Sequence, residues 1–113
     1  MMYKTINVKN SFEFVHCWPE APESLYYLRT PHRHVFKIET SIEINHNNRD
    51  LEFITVQHDI HRFLHTTHFK QRSSCEDIAE RIVRHLVQLY GERGIAVTVS
   101  EDGENGATVY YEK

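Results

Sequence analysis

His32 and His34 stand two residues apart in the run Pro31-His32-Arg33-His34-Val35-Phe36-Lys37-Ile38-Glu39, at the head of an apolar alternation. Side chains on a β-strand repeat with a period of two, so His32, His34, Phe36, Ile38, Ile42 and Ile44 share one face. A second alternation, Phe12-Glu13-Phe14-Val15-His16, ends on a third imidazole. Two histidines at i and i+2 on a rigid strand converge on one point above the sheet, and a third ligand then comes from elsewhere. His16 supplies it. Three neutral imidazoles with one coordination position left open are what a working zinc site requires.

The elements that must position these rings can be read in order. Residues 3–17 form a first strand, with Asn7 and Asn10-Ser11 marking a bulge. Residues 18–31 carry all three prolines and read as a loop without regular structure, long enough to serve an active site. Residues 32–46 form a second strand that ends at the turn signal Asn45-His46-Asn47-Asn48-Arg49-Asp50. The spacing then becomes helical over 54–65, where Phe53, Val56, Ile60, Phe63 and Leu64 make one stripe. His58, His61, His65 and His68 lie on a neighbouring stripe, whose simpler reading is a solvated helix face. Ser73-Ser74-Cys75-Glu76 fits a capping box for a second helix, with Glu76 three after Ser73. Ile78, Ala79, Ile82, Val83, Leu86, Leu89 and Tyr90 form its buried side, and Gly91 ends it. Ile95–Val99 and Ala107–Tyr111 are a third and a fourth strand joined by Asp102-Gly103-Glu104-Asn105-Gly106. The resulting class is α+β, in the order β-β-α-α-β-β: a four-stranded antiparallel sheet with two helices packed on one face.

Composition narrows the function. The length suits a single domain spanning 1–113. A formal charge of −3 with no basic run argues against a nucleic-acid partner. No apolar run approaches membrane-spanning length and no signal-peptide core follows Met1, so the expected compartment is the cytoplasm, with no membrane partner. Cys17 and Cys75 suggest no disulfide framework, which fits a reducing environment.

The element order, His16 after an F-x-F strand, the His32-x-His34 pair and the late Val99-Ser100-Glu101 together resemble the 6-pyruvoyltetrahydropterin synthase and 6-carboxytetrahydropterin synthase family. The resemblance covers essentially the whole chain, trimmed between the two helices. It implies a tunnelling fold, zinc held by His16, His32 and His34, and lyase chemistry on the side chain of a dihydroneopterin-type substrate. It also implies that Glu101 anchors the pterin ring, a role a carboxylate fills by accepting paired N–H donors from an amino-pyrimidine edge. The family's Pro-Thr-x-Glu helix start is similar to Ser73-Ser74-Cys75-Glu76. Its members assemble as two stacked trimers, which implies a homohexamer or another homo-oligomer in which neighbours cover the open sheet edges.

Two family features are absent. Tyr26 and Leu28 stand where a cysteine is expected before the His-x-His pair. Cys17 is a poor replacement by strand parity, because it faces away from His16. A loop glutamate, Glu20 or Glu23, is the expected substitute, Glu23 foremost. The family's Asp-His pair is missing as a dipeptide, leaving His65 or, preferred here, His68 to supply an imidazole, although Thr67 precedes it. The alternative function is therefore a catalytically inactive protein that binds zinc and a pterin or purine. Trp18, Tyr26 and Tyr27 can stack on a flat heterocycle or pack the loop. His32-x-His34-x-x-x-x-Glu39 also resembles a cupin metal motif, but the two helices and the opposite strand face of Glu39 argue against it.

Overall fold

A computed structural model describes residues 1–113. The strands are β1 (Lys4–His16), β2 (His32–Ile44), β3 (Ile95–Glu101) and β4 (Gly106–Tyr111). The helices α1 (Phe53–Thr66) and α2 (Cys75–Tyr90) lie between β2 and β3. The sheet is antiparallel throughout, in the order β1-β2-β3-β4.

β1 and β2 pair without interruption from Lys4 opposite Ile44 to His16 opposite His32, so the expected bulge at Asn7 or Asn10 is absent. Asn10 instead stays in register and donates its side-chain amide to Gln57 O at 3.0 Å, tying β1 to α1. Because no residue is inserted, the parity set by Phe12, Phe14 and His16 runs unbroken across the pair.

The even-numbered residues Phe36, Ile38 and Ile42 of β2 are fully buried, with Val97 and Val99 of β3 beside them. They pack against Val56, Ile60 and Leu64 of α1 and Ile78, Ile82 and Leu86 of α2. Burial of each such side chain contributes about 1.5–3 kcal/mol. α1 lies over β1, and α2 lies over β3 and β4. The other sheet face is polar and open, with Lys9, Glu13, Arg33, Lys37 and Glu39 exposed. Glu39 points there toward Lys9 at 3.8 Å, which removes the cupin-like ligand set.

Besides the absent bulge, and Leu89, which is exposed rather than on the buried side of α2, three details differ from the sequence expectation. Glu23–Arg29 forms consecutive 3-10 turns with a kink at Leu25, because the prolines at 19, 22 and 31 fall outside it and Pro22 O accepts from Leu25 N at 2.8 Å. The capping box of α2 sits one residue later than expected. Ser74 Oγ accepts from Asp77 N, and Ser74 N donates to Asp77 Oδ2. Ser73 is already committed to the preceding turn through Ser73 N to Lys70 O at 2.9 Å. Phe53 lies outside the buried stripe because the Glu52 carboxylate caps α1 immediately before it, accepting from Ile54 N and Thr55 N at 3.0 Å. His58, His61, His65 and His68 are exposed. No helix is long and apolar enough to cross a membrane.

Candidate metal centre

His16 is the last residue of β1 and His32, its Cα partner, the first of β2. His34 follows one pleat on. The ring centroids are 4.5 Å apart for His16 and His32, 5.2 Å for His32 and His34, and 5.6 Å for His16 and His34. The fully buried Phe36 ring supports them edge-on, 5.1 Å from His16 and 6.1 Å from His34. Glu101, the last residue of β3, is the register partner of Phe36 and therefore arrives beside the imidazoles. One ligand atom from each of His16, His32, His34 and Glu101 lies within 4.8 Å of all the others. The group can hold a metal ion.

The outer nitrogens decide which atoms face inward. His16 Nδ1 donates to Ser73 O at 3.0 Å, His32 Nδ1 to Thr30 O at 2.9 Å, and His34 Nδ1 to Asp102 Oδ2 at 2.7 Å. A carbonyl or carboxylate oxygen can only accept, so this network assigns each Nδ1 its proton. With Nδ1 committed outward, the nitrogen left to face the centre is Nε2, whose lone pair is the one a metal would take. This is the arrangement by which outer partners orient metal-ligating histidines. Asp102 is fit for the task, since its hydrogen bond with His34, together with one from Val35 N, holds its carboxyl below the usual carboxylate range.

One inward atom lacks a partner outright. His16, 8 % exposed, has its Nε2 buried without a hydrogen-bond partner. That atom is nonetheless only 2.9 Å from Glu101 Oε2, close enough for an ion pair but outside hydrogen-bond geometry. The second carboxylate oxygen lies 3.7 Å from His34 Nε2. Lone pairs facing a carboxylate at such distances repel unless a positive charge lies among them. A proton on Nε2 or a metal cation among the four groups removes the conflict, and the metal satisfies all four at once. The four ligand atoms lie within 4.8 Å of one another, so modest side-chain rotation would bring them onto one metal ion.

Beside the centre opens a cleft of about 480 Å³ whose lining includes Cys17, Trp18, Leu28, Arg72, Ser74 and Asn105. Glu101, His16 and His32 reach it from the centre, and Cys75 and Glu76 from the start of α2. Burial and the nearby carboxylates of Glu101 and Glu76 push the Cys75 thiol up to about 11, which leaves it protonated and unreactive. Cys17 corrects the parity expectation. The strand ends at His16, Cys17 N donates to Gln71 O at 2.9 Å, and its half-buried side chain faces the cleft.

The two residues expected to move protons are not brought there. Glu23 faces Arg29 at 3.3 Å from an exposed turn, and neither Glu23 nor His68 lines the cleft. Glu20 is taken by Arg72, whose hydrogen bond holds its carboxyl down. Of the three loop aromatics Trp18 lines the cleft, while Tyr26 and Tyr27 stack edge-on against each other on the surface. The roles of Asp102, Ser73 O and Thr30 O as ring partners have no signal in the sequence. Asp102 carried only a turn signal, and two of the three partners are backbone carbonyls with no residue signature. No family model matches the chain, and no curated protein matches it.

Proposed function

We propose that the chain is a zinc-dependent protein of the 6-pyruvoyltetrahydropterin and 6-carboxytetrahydropterin synthase type, built on a tunnelling fold and acting on the side chain of a dihydroneopterin-type substrate. The observation that carries this reading is the inward-facing set of His16, His32 and His34 Nε2 atoms, each ring oriented by a separate Nδ1 acceptor. When bound, zinc supplies a Lewis acid that polarises oxygens on the substrate side chain. Trp18 and Leu28 give the cleft an apolar wall for a flat ring, and the Glu101 carboxylate can accept paired N–H groups from its edge. Cys17 replaces Glu23 and His68 as the group suited to move a proton, being the half-buried thiol of this cleft. A homohexamer of two trimers would cover the unpaired edges of β1 and β4.

The second reading, a zinc- and pterin- or purine-binding oligomer without turnover, is favoured by the absence of Glu23 and His68 from the cleft. One experiment separates the two. Purified protein is assayed for bound metal, then incubated with dihydroneopterin triphosphate while acetaldehyde and triphosphate release are followed. Release supports the enzyme, and metal with ligand binding but no release supports the binder. Protein that neither contains nor takes up zinc refutes both.

A further inference from the structure

Glu101 is held in place by its backbone and free in its side chain. Its N–H donates to Asn105 O at 2.9 Å, its C=O accepts from Glu104 N at 2.9 Å, and the neighbouring Asp102 N donates to Val35 O at 2.8 Å. The side chain is 34 % exposed, and both of its oxygens face imidazoles, Oε2 toward His16 and Oε1 toward His34. Neither oxygen has another protein partner given by the structure. A doubly charged ion among three neutral rings keeps its full charge in a half-buried site, whereas a carboxylate in the same shell halves it.

We infer that Glu101 is itself the fourth donor of the centre in the ligand-free protein, and that it leaves the ion when a ligand presents paired N–H groups. This rests on the metal-centre reading above and extends it. The two roles of Glu101 compete for the same two oxygens. A carboxylate that chelates a ring edge cannot also face His16 and His34, so ring binding frees a coordination position beside the substrate's side-chain oxygens. The coupling is reciprocal: whatever holds the carboxylate on the ion weakens ring binding by the same factor. Only side-chain torsions of Glu101 have to change, because the 101–105 turn is fixed by its own hydrogen bonds.

The test uses the full chain freed of metal and titrated with Co2+, whose ligand-field bands report coordination number and donor type. Affinity is measured by competition with a chelator. Glu101→Gln removes the charge, and Glu101→Asp keeps it but withdraws the carboxylate by one methylene, so a through-space charge effect is separated from ligation. Both variants should lose the wild-type band, with Glu101→Gln binding Co2+ more weakly by over about 100-fold, beyond the range of an outer partner. Pterin, which carries the paired N–H edge without side-chain oxygens, should shift the wild-type band and leave that of Glu101→Gln unmoved. Variants with wild-type band and affinity overturn the donor role while leaving the metal centre intact. A wild-type band unmoved by saturating pterin overturns the exchange. A wild-type chain that takes up neither Co2+ nor Zn2+ overturns the metal-centre reading and this inference with it.

Discussion

The carboxylate of Asp102 meets Nδ1 of His34 at 2.7 Å while its other oxygen accepts from Val35 N at 3.0 Å. The residue sits at φ 57° in the turn between β3 and β4, and its own N–H returns to Val35 O. One turn residue is thus bonded to the strand that carries His34 and to the ring that His34 presents.

Asp102→Asn should therefore keep the turn and loosen the ring. An amide can offer an N–H to Nδ1 and so select the tautomer that turns an N–H inward. Metal affinity should fall about 10–100-fold with the far-UV spectrum unchanged. Competition titration against a chromophoric chelator checks this, and unaltered affinity would show that Asp102 does not orient the ligand.

Cys17 and Glu23 give opposite expectations for turnover. Cys17→Ser should abolish it with metal content retained, because the thiol lines the cleft. Glu23→Gln should leave it near wild type, because that carboxylate faces Arg29 on the surface. Rates measured beside metal analysis decide between them, and loss of activity in Glu23→Gln alone would restore the loop glutamate.

Metal removal should lower stability, since the imidazoles come from both strands of the β1–β2 pair and an ion bound among them would join the strands. At a free zinc concentration of about 100 times Kd the added stability is about 2.7 kcal/mol. Thermal melts with zinc and with a chelator should differ accordingly. His34→Ala should melt at the same temperature in both.

The register of the α2 cap is open to a direct check. Ser74→Ala should cost about 0.5–2 kcal/mol, the usual effect of losing an N-cap oxygen. Glu76→Gln should stay within about 0.5 kcal/mol, because Asp77 rather than Glu76 closes the box. Urea unfolding of the two variants distinguishes the registers.

Asp50 predicts a pH effect on stability. A hydrogen bond from Arg93 at 2.8 Å, then one from Asn45 N at 2.7 Å, lower its pKa from the ordinary carboxylate value. A carboxyl whose folded pKa is depressed contributes stability that is complete above its unfolded pKa of about 3.9 and is lost as pH falls through the folded value. Asp50→Asn should lower the melting temperature at neutral pH, and its difference from wild type should close below that range. A constant difference from neutral pH down to strongly acid pH would rule out the ionised pair as the source.

The sequence by itself determined the elements and the face on which the histidines fall. Period-two alternation is a local property of the chain, so Phe12, Phe14 and His16 on one strand and His32, His34 and Phe36 on the next declare their shared side without any partner. The helical stripes of Val56, Ile60 and Leu64 and of Ile78, Ile82 and Leu86 are local in the same sense. Folding alone decided what surrounds those rings. The acceptors for His16 and His34 lie 57 and 68 residues away along the chain, and Glu101 reaches the centre only because β3 registers it against Phe36. Parity also stops at a strand's end, which is why Cys17 enters the cleft that alternation denied it. Glu23 falls on an exposed turn facing Arg29, outside the cleft, a placement that spacing does not encode.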